Sequence, residues 1–269
     1  HQYCYVYLGK PDLLRDTHTR IRYQRRQNSN TLVVGDDFKT MTYDFMVQLV
    51  QLQGCSHPKS RICIVDCFNY GDEYQGALDG MKEVSEAFSV GTSQNIVQYV
   101  DEFSAELERR KAEQKEGKMS EERLVLAIMN AQNCYELKPQ QGKFNLEQSE
   151  TTKKLVGLLS EGGPLGIHCI IHCLSFETMF KTNGILDGNK HFPLFENKIF
   201  LKGADIGNMF LGGLKPIAPE ETGQMVVLNA KADGEAYEQC KAYSDITIKG
   251  KTNTIVDYMS NLFEKYRYA

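Results

Sequence analysis

The amino-acid sequence predicts an α/β domain whose mostly parallel central sheet carries helices on both faces. Short apolar runs recur along the chain without polar alternation, as is typical of strands that are covered on both sides. Segments with apolar residues at helical spacing separate several of these runs. Strands that alternate with helices favour a doubly wound arrangement, because parallel strands need crossover connections.

The apolar runs and the helical periodicity also predict the order of the elements. We expect strands at residues 3–8, 21–26, 30–35, 61–66, 124–129, 167–173, 198–201, 224–228 and 245–248. We expect helices at residues 42–53, 93–116 and 151–160, and a C-terminal helix with Ile255, Met259, Leu262 and Phe263 on one face. A Gly-Gly-Pro sequence at residues 162–164 ends the third helix.

Length and charge limit the domain organisation and the class of function. The chain has 269 residues, which suffice for one large domain or for two small ones. No internal repeat or low-complexity linker divides it. We predict a single domain, with residues 1–30 as an N-terminal strand extension and residues 31–269 as the α/β body. The net charge of −4 argues against a module that binds DNA by neutralising phosphates.

The sequence carries neither a membrane signal nor an export signal that we can recognise. No apolar run reaches the ~20 residues that a spanning helix needs. No charged-then-apolar segment opens the chain. We therefore expect a cytoplasmic protein. Because the chain begins with His1 rather than Met, we also expect it to be part of something longer.

Eight cysteines raise the question of a disulfide framework. Cys63, Cys169 and Cys173 lie inside apolar, strand-like runs. In a long chain without an export signal, such cysteines are typically buried and reduced. We expect reduced thiols rather than disulfides.

Two histidines and two cysteines have a spacing that resembles metal ligands. His168 and His172 are four residues apart, as are Cys63 and Cys67. Residues four apart in a strand lie ~13 Å apart, which is too far for one zinc ion. We therefore predict no metal site and interpret these side chains as core residues. Asp66, at the end of a predicted strand, is interpreted as a cap for the following turn, with a ligand role as the alternative.

The most basic part of the sequence is a cluster of four arginines near the N-terminus. Its members are Arg20, Arg22, Arg25 and Arg26. Charged clusters of this kind usually form a solvated strand or loop face. We favour that interpretation over phosphate contact.

The turn after Val34 is the first place where a parallel α/β sheet would bind a ligand. A working phosphate loop reads Gly, four residues, Gly, Lys, then Ser or Thr. Gly35 fits the first position and Thr42 fits the last. Thr40 stands where the second Gly belongs, and Met41 stands where the Lys belongs. A methionine cannot supply positive charge to a polyphosphate.

The remaining residues of this turn also disfavour phosphate. Asp36 and Asp37 add negative charge where a phosphate group would lie. A shortened loop built on Lys39 and Thr40 is the alternative, although Phe38 then replaces the Gly before the Lys. The candidate nucleotide-binding residues are therefore Gly35, Lys39, Thr40 and Thr42, and we interpret the segment as a structural turn.

The order of these features resembles the motor domains of the FtsK/SpoIIIE family, which have a RecA-like P-loop NTPase fold. The resemblance runs through most of the chain. It is carried by the strand–loop–helix unit at 30–52, the strand at 62–66, the helix ending in Leu-Glu-Arg-Arg at 107–110, the strand region at 124–137, the Gly-Ile-His strand at 163–171, and the segments at 197–201 and 222–225. The Leu-Glu-Arg-Arg helix and the Gly-Ile-His strand are specific as a pair.

The departures from the family pattern concern the catalytic positions. In the family, the strand called Walker B ends in Asp-Glu, which orders Mg²⁺ and activates water. Those positions read Asn130 and Ala131 here, or Met129 and Asn130 if the register slips by one residue. The glutamine that senses the γ-phosphate is replaced by Leu174. Since phosphoryl transfer depends on such charges, the resemblance implies a domain without catalytic residues and without a required cofactor.

The resemblance also implies the role and the partners of such a domain. Some members, including type VII secretion ATPases, carry several motor-like domains in one chain. We expect a scaffold or regulatory module that contacts other motor domains of its chain, or copies of itself in a ring, with DNA or a secreted protein as the moved substrate. Membrane association of the full-length protein stays open. The alternatives are a divergent ATPase that binds ATP and Mg²⁺ through Lys39 or a neighbouring subunit, and a plain DNA-binding module.

Overall fold

A computed structural model describes residues 3–12, 18–143, 145–181, 184–206, 216–229, 237–243, 246–248 and 251–253. The strands are β1 Tyr3–Pro11, β2 Thr19–Gln24, β3 Thr31–Val34, β4 Arg61–Asp66, β5 Phe88–Thr92, β6 Leu124–Met129, β7 Gln140–Gln141, β8 Leu146–Glu147, β9 Ile167–Cys173, β10 Asn197–Phe200, β11 Gln224–Asn229, β12 Tyr237–Ala242, β13 Ile246–Ile248 and β14 Lys251–Asn253. The helices are α1 Phe38–Gly54, α2 Met81–Val84, α3 Ile96–Lys115, α4 Glu150–Glu161, α5 Phe176–Phe180 and α6 Gly188–His191.

Ten of these strands form one sheet in the order β2-β1-β12-β11-β10-β3-β9-β6-β4-β5. The strands from β10 to β5 run parallel to one another. The other four are antiparallel and extend the edge next to β10. The predicted, mostly parallel sheet is therefore confirmed, and β3 lies in its middle.

Two apolar cores cover the two faces of the sheet, because successive residues of a strand point to opposite sides. Leu32 and Val34 belong to the core under α3 and α4, which we call the α3-side core. Val33, between them, belongs to the core under α1, which we call the α1-side core. The buried, non-alternating runs of the sequence follow from this double cover.

Within the described residues the structure confirms the type of each predicted element, but several elements begin or end at other residues. The first helix begins at Phe38 rather than Thr42, since Asp37 caps it. The second helix begins at Ile96 and is preceded by a 3₁₀ turn at Ser93–Asn95. β5 and β12 were not predicted, because their sequences alternate polar and apolar residues too weakly to stand out. The helix predicted around Ile255 to Phe263 lies outside the described residues.

The predicted boundary between residues 30 and 31 stays a prediction. β1 and β2 pair with each other, and β1 pairs with β12 of the same sheet. No helix in the described part of the chain is long and apolar enough to cross a membrane.

One cysteine prediction is wrong. Cys4 of β1 and Cys55, just after α1, form a disulfide with a Cα–Cα distance of 5.9 Å. The two residues are 51 positions apart, so the sequence gives no sign that β1 packs along α1. The other six cysteines are free and buried: Cys63, Cys169, Cys173 and Cys240 lie on strands, and Cys67 and Cys134 lie in loops.

Candidate nucleotide-binding site

The turn between β3 and α1 is only three residues long. It is held on both sides by backbone hydrogen bonds. The amide of Gly35 donates to the carbonyl oxygen of Cys173 at 3.1 Å, and the amide of Asp36 donates to that of Lys202 at 2.9 Å. Gly35 has φ of 140°, and a Cβ atom there would lie 2.6 Å from the oxygen of Lys202. Glycine is therefore required for this close approach.

Asp37 caps the N-terminus of α1 with its carboxylate. One oxygen accepts the amide of Thr40 at 3.1 Å, and the other accepts the Thr40 hydroxyl at 2.6 Å. The second oxygen also accepts the amide of Gly223 at 3.0 Å. Helix N-termini attract anions through free amide groups and the helix dipole. Here the anion is a side chain of the protein itself.

The other candidate residues of this segment point away from the turn. Met41 is completely buried in the α1-side core. Thr42 is also buried, and its hydroxyl has no hydrogen-bond partner among the described residues. Lys39 is exposed, and its ammonium lies 5.9 Å from the ring centre of Tyr43, one turn further along α1. The structure thus brings Gly35 and Thr40 to the turn, but not Lys39 or Thr42.

The end of β6 carries the second pair of candidate positions. Asn130 is buried and adopts a left-handed conformation with φ of 56°. Its amide oxygen accepts a hydrogen bond from the side chain of Gln132. Gln132 in turn accepts the backbone amide of Leu174 at 3.2 Å, so it joins the ends of β6 and β9. Ala131 is completely buried and offers no polar group.

His172 connects the two turns. Its Nδ1 accepts the amide of Asn130 at 3.1 Å, and its Nε2 donates to the carbonyl oxygen of Gly35 at 2.9 Å. These two bonds require the neutral ring with its proton on Nε2. Burial lowers the pKa of His172 to about 4, against a usual value of 6.5. The ring is therefore an uncharged link at neutral pH.

The remaining histidine and carboxylate candidates are also structural. His168 is buried, its Nδ1 lies 2.8 Å from the carbonyl oxygen of Ser29, and burial lowers its pKa to about 3. Asp66 accepts the amides of Phe68 at 2.8 Å and Gly76 at 2.7 Å, which confirms the capping interpretation. No cluster of three potential metal ligands occurs in the described ranges.

Two polar residues at this sheet edge were not singled out from the sequence. Gln132 is one, and Asp205 is the other. Asp205 accepts the amide of Phe176 at 2.5 Å and that of Glu177 at 3.2 Å, at the start of α5. In the sequence, the one indication of a role for Asp205 was its position shortly after a predicted strand, since ligand sites follow the carboxyl ends of parallel strands.

Solved structures with a similar fold place this geometry in context. EssC (ATPases 2 and 3) from Geobacillus thermodenitrificans is 16% identical with a TM-score of 0.65, and the alignment covers 100% of this chain and 49% of that one. EccC (ATPases 2 and 3) from Thermomonospora curvata, in complex with a signal sequence peptide, is 16% identical with a TM-score of 0.62 and coverage of 99% and 47%. The chain shares the α/β fold of these ATPase domains.

A third structure extends the comparison beyond those two proteins. The conjugation coupling protein TcpA of pCW3, in a monomer form with ATPγS, is 15% identical with a TM-score of 0.57 and coverage of 98% and 70%. The chain spans about half the length of the EssC and EccC structures. No family model matches the sequence, and no curated protein matches it.

The shared fold allows the positions of these two turns to be compared with those in RecA-like domains. The turn at Gly35 lies between the central strand β3 and α1, where a RecA-like domain places its phosphate loop. Asn130 follows β6, which is separated from β3 by β9 alone. His172 of β9 therefore lies between the turn at Gly35 and the turn at Asn130.

Proposed function

We propose that this chain is a motor-fold domain that does not hydrolyse ATP and that serves assembly or regulation in a translocating machine. The carboxylate of Asp37 is the observation that carries the proposal. It accepts the amide of Thr40 in the first turn of α1, where a phosphate group would bind, and the amide of Gly223 in the turn before β11. A bound phosphate would have to displace it.

Electrostatic repulsion also disfavours the binding of phosphate at this turn. Two unit negative charges 4 Å apart repel by about 4 kcal/mol near a protein surface. Asp37 is buried and its neighbour Asp36 is exposed, so the turn adds two carboxylates and no cation. Met41, at the lysine position, is in the core and cannot offset them.

The end of β6 supports the same proposal. Through the family resemblance we assign Asn130 and Ala131, or Met129 and Asn130 in the alternative register, to the positions where a motor domain binds Mg²⁺ and activates water. The Asn130 amide is already bonded to His172 and its side chain to Gln132. A carboxamide and a methyl group supply neither the charge nor the general base that hydrolysis requires.

The partners that we propose are other motor domains. The similar EssC and EccC structures each contain two ATPase domains, and this chain matches about half of each. A domain without hydrolysis would contribute through contacts with an active neighbour in the same chain or with copies of itself. A cytoplasmic location and a moved substrate, either DNA or a secreted protein, belong to the same proposal.

A divergent ATPase is the second candidate. Lys39 is exposed in the first turn of α1, next to Thr40, and a neighbouring subunit could supply the missing charges. In this case ATP would bind with Mg²⁺, and a Lys39→Ala variant would bind it more weakly.

Calorimetric titration of MgATP into the chain separates the two candidates. We expect no binding at millimolar MgATP. In an Asp37→Asn variant, which keeps the capping oxygen but loses the charge, we expect weak binding to appear. Asp36→Asn is the matched control, because it removes one charge from the same turn without freeing the helix N-terminus. Micromolar affinity of the unchanged protein would contradict the proposal.

A further inference from the structure

The outer face of the antiparallel edge carries aromatic and basic side chains that no helix covers. We call it the tyrosine–arginine face. Its members are Tyr3, Tyr5, Tyr7 and Lys10 of β1, Arg20, Arg22 and Gln24 of β2, and Gln239 and Lys241 of β12. The alternate residues Cys4, Val6 and Leu8 are buried in the α1-side core, so Tyr3, Tyr5 and Tyr7 point the other way. A β-bulge between Tyr7 and Gly9 shifts the alternation and brings Lys10 to the same outer face, opposite Lys241.

We propose that the tyrosine–arginine face binds single-stranded nucleic acid. The proposal goes beyond the function proposed above and does not depend on the state of the nucleotide turn. A sheet face that presents aromatic rings and cations is a general means of binding unpaired nucleotides, because every base has a flat surface that can stack.

The strand register places each outer tyrosine beside a polar or basic partner. Tyr5 is opposite Arg22, and Tyr7 is opposite Arg20. Arg20 also lies diagonally over Tyr5, with its guanidinium carbon 4.3 Å from the ring centre. Tyr3 and Tyr7 remain 53% and 40% exposed, which is unusual for such large rings. The exposed rings of Tyr3 and Tyr7 are available for stacking, whereas the guanidinium of Arg20 covers one side of Tyr5.

The spacing of the rings selects a single strand over a duplex. Alternate residues of a β-strand are ~6.6 Å apart. Bases in a duplex are stacked ~3.4 Å apart along each strand. The rings of Tyr3 and Tyr5 are 5.3 Å apart and meet edge to face, so the two exposed platforms are Tyr3 and Tyr7, whose positions on the strand are ~13 Å apart. Bases that stack on both must be separated along an extended backbone, which paired strands cannot provide without unstacking.

The charged side chains of the tyrosine–arginine face are all basic. Lys10 is directly opposite Lys241, and like charges in this position destabilise a sheet unless an anion lies between them. The outward positions of β1, β2 and β12 contain no carboxylate. Glu238 of β12 is opposite Val227 of the α1-side core, so it faces the other side. A face with this charge distribution suits a phosphate backbone, although the chain as a whole is acidic.

One end of the face opens into a cavity of about 880 Å³. Tyr3 and Tyr5 line it together with Arg25 and Arg123, and Glu121 is the acidic residue in its wall. Arg25 and Arg123 supply positive charge to this cavity, and the neighbouring Glu121 and Glu122 offset part of it. The cavity continues the path of the tyrosines and gives a bound strand a basic end point.

Fluorescence anisotropy tests the proposal with the whole 269-residue chain and a labelled twenty-nucleotide oligo-dT as the probe. We expect micromolar binding that weakens with salt, and weaker binding of a duplex of the same length. A Tyr3→Ala, Tyr7→Ala double variant should bind oligo-dT at least tenfold more weakly, whereas Tyr3→Phe, Tyr7→Phe should bind within about twofold of the unchanged protein. Arg20→Ala should lower the magnitude of the salt slope by about 0.7.

The controls use side chains of the same types elsewhere on the surface. Tyr70→Ala removes a tyrosine that is 98% exposed, and Lys82→Ala removes a lysine of α2. Both should leave oligo-dT binding unchanged, and all variants should keep the thermal midpoint of the unchanged protein. The proposal is overturned if oligo-dT does not bind at low salt, or if the tyrosine variants bind it normally. It is also overturned if polyglutamate binds as tightly with the same dependence on Tyr3 and Tyr7, which would assign the face to an acidic protein.

Discussion

The imidazole of His172 donates a hydrogen bond to the carbonyl oxygen of Gly35 across 2.9 Å. On its other side the same ring accepts the amide of Asn130. A single neutral side chain thus fixes the turn after β3 relative to the turn after β6. In this domain the two turns are joined by hydrogen bonds within the protein.

His172→Phe should destabilise the fold by about 2–3 kcal/mol, because the replacement leaves two buried backbone groups without a partner. Chemical unfolding at pH 7.5 measures the change. The aromatic ring keeps the volume, so the loss reports the hydrogen bonds rather than a cavity. A change below about 0.5 kcal/mol would show that the two turns hold their positions without this link.

The low pKa of His172 also predicts a pH dependence. The folded-state pKa is about 4, below the usual 6.5, so the unfolded chain binds a proton first as pH falls. The free energy of unfolding should therefore decrease between pH 6.5 and 4, by roughly 3 kcal/mol for this histidine. The His172→Phe variant should have a shallower slope than the unchanged protein in that window. Equal slopes of the free energy of unfolding against pH in the two proteins would contradict the lowered pKa of His172.

Asp44→Asn should stabilise the protein at alkaline pH. Burial in α1 raises the pKa of Asp44 to about 7, and Gln48 donates to its carboxylate at 2.6 Å. The folded state keeps the proton that the unfolded chain loses, so the stability contributed by Asp44 falls as pH rises from about 4 to 7. At pH 8 the asparagine variant should be more stable by up to about 4 kcal/mol, and near pH 4 the difference should vanish.

Asp101→Asn is the matched control for this comparison. Asp101 is exposed on α3 and pairs with Lys154 at 2.6 Å. Removing an exposed ion pair changes stability by less than about 1 kcal/mol. Equal stability of Asp44→Asn and the unchanged protein at pH 8 would mean that Asp44 is ionised in the fold without penalty.

Cys55→Ser should lower stability by about 4 kcal/mol, the chain-entropy value for a disulfide that closes a loop of this length. Thermal unfolding with and without a reductant measures the effect. The reductant should lower the midpoint of the unchanged protein and leave that of Cys55→Ser unaltered. A midpoint that does not respond to reductant in either protein would refute the stabilising role of the Cys4–Cys55 bond.

Gly35→Ala should destabilise the domain by about 1–3 kcal/mol, because the turn requires a positive φ and a close approach to Lys202. Gly157→Ala in the middle of α4 is the control, since nothing lies within 4 Å of its added methyl group. The control should raise stability by about 0.5–1 kcal/mol, as expected for alanine in a helix. Equal effects of the two variants would contradict the turn geometry.

The sequence by itself determined the parallel centre of the sheet and the residue types at the candidate site. The buried runs at β3, β4, β6 and β9 were recognisable because strand formation depends on local apolar patterning. The uncharged residues Met41, Asn130 and Ala131 at the ends of the predicted strands and turns could be read directly. These features are local, so no tertiary information was needed.

Only the tertiary structure decided how distant parts of the chain meet. Gly223 reaches Asp37 across 186 positions, and Cys4 reaches Cys55 across 51. The outward direction of Tyr3 and Tyr7 depends on the packing of β1 against α1. Such contacts are set by the packing of whole elements, and a single sequence gives local preferences but not the partner of each residue. For that reason the sequence predicted a turn lacking the usual cation, whereas the structure identified the carboxylate that caps it.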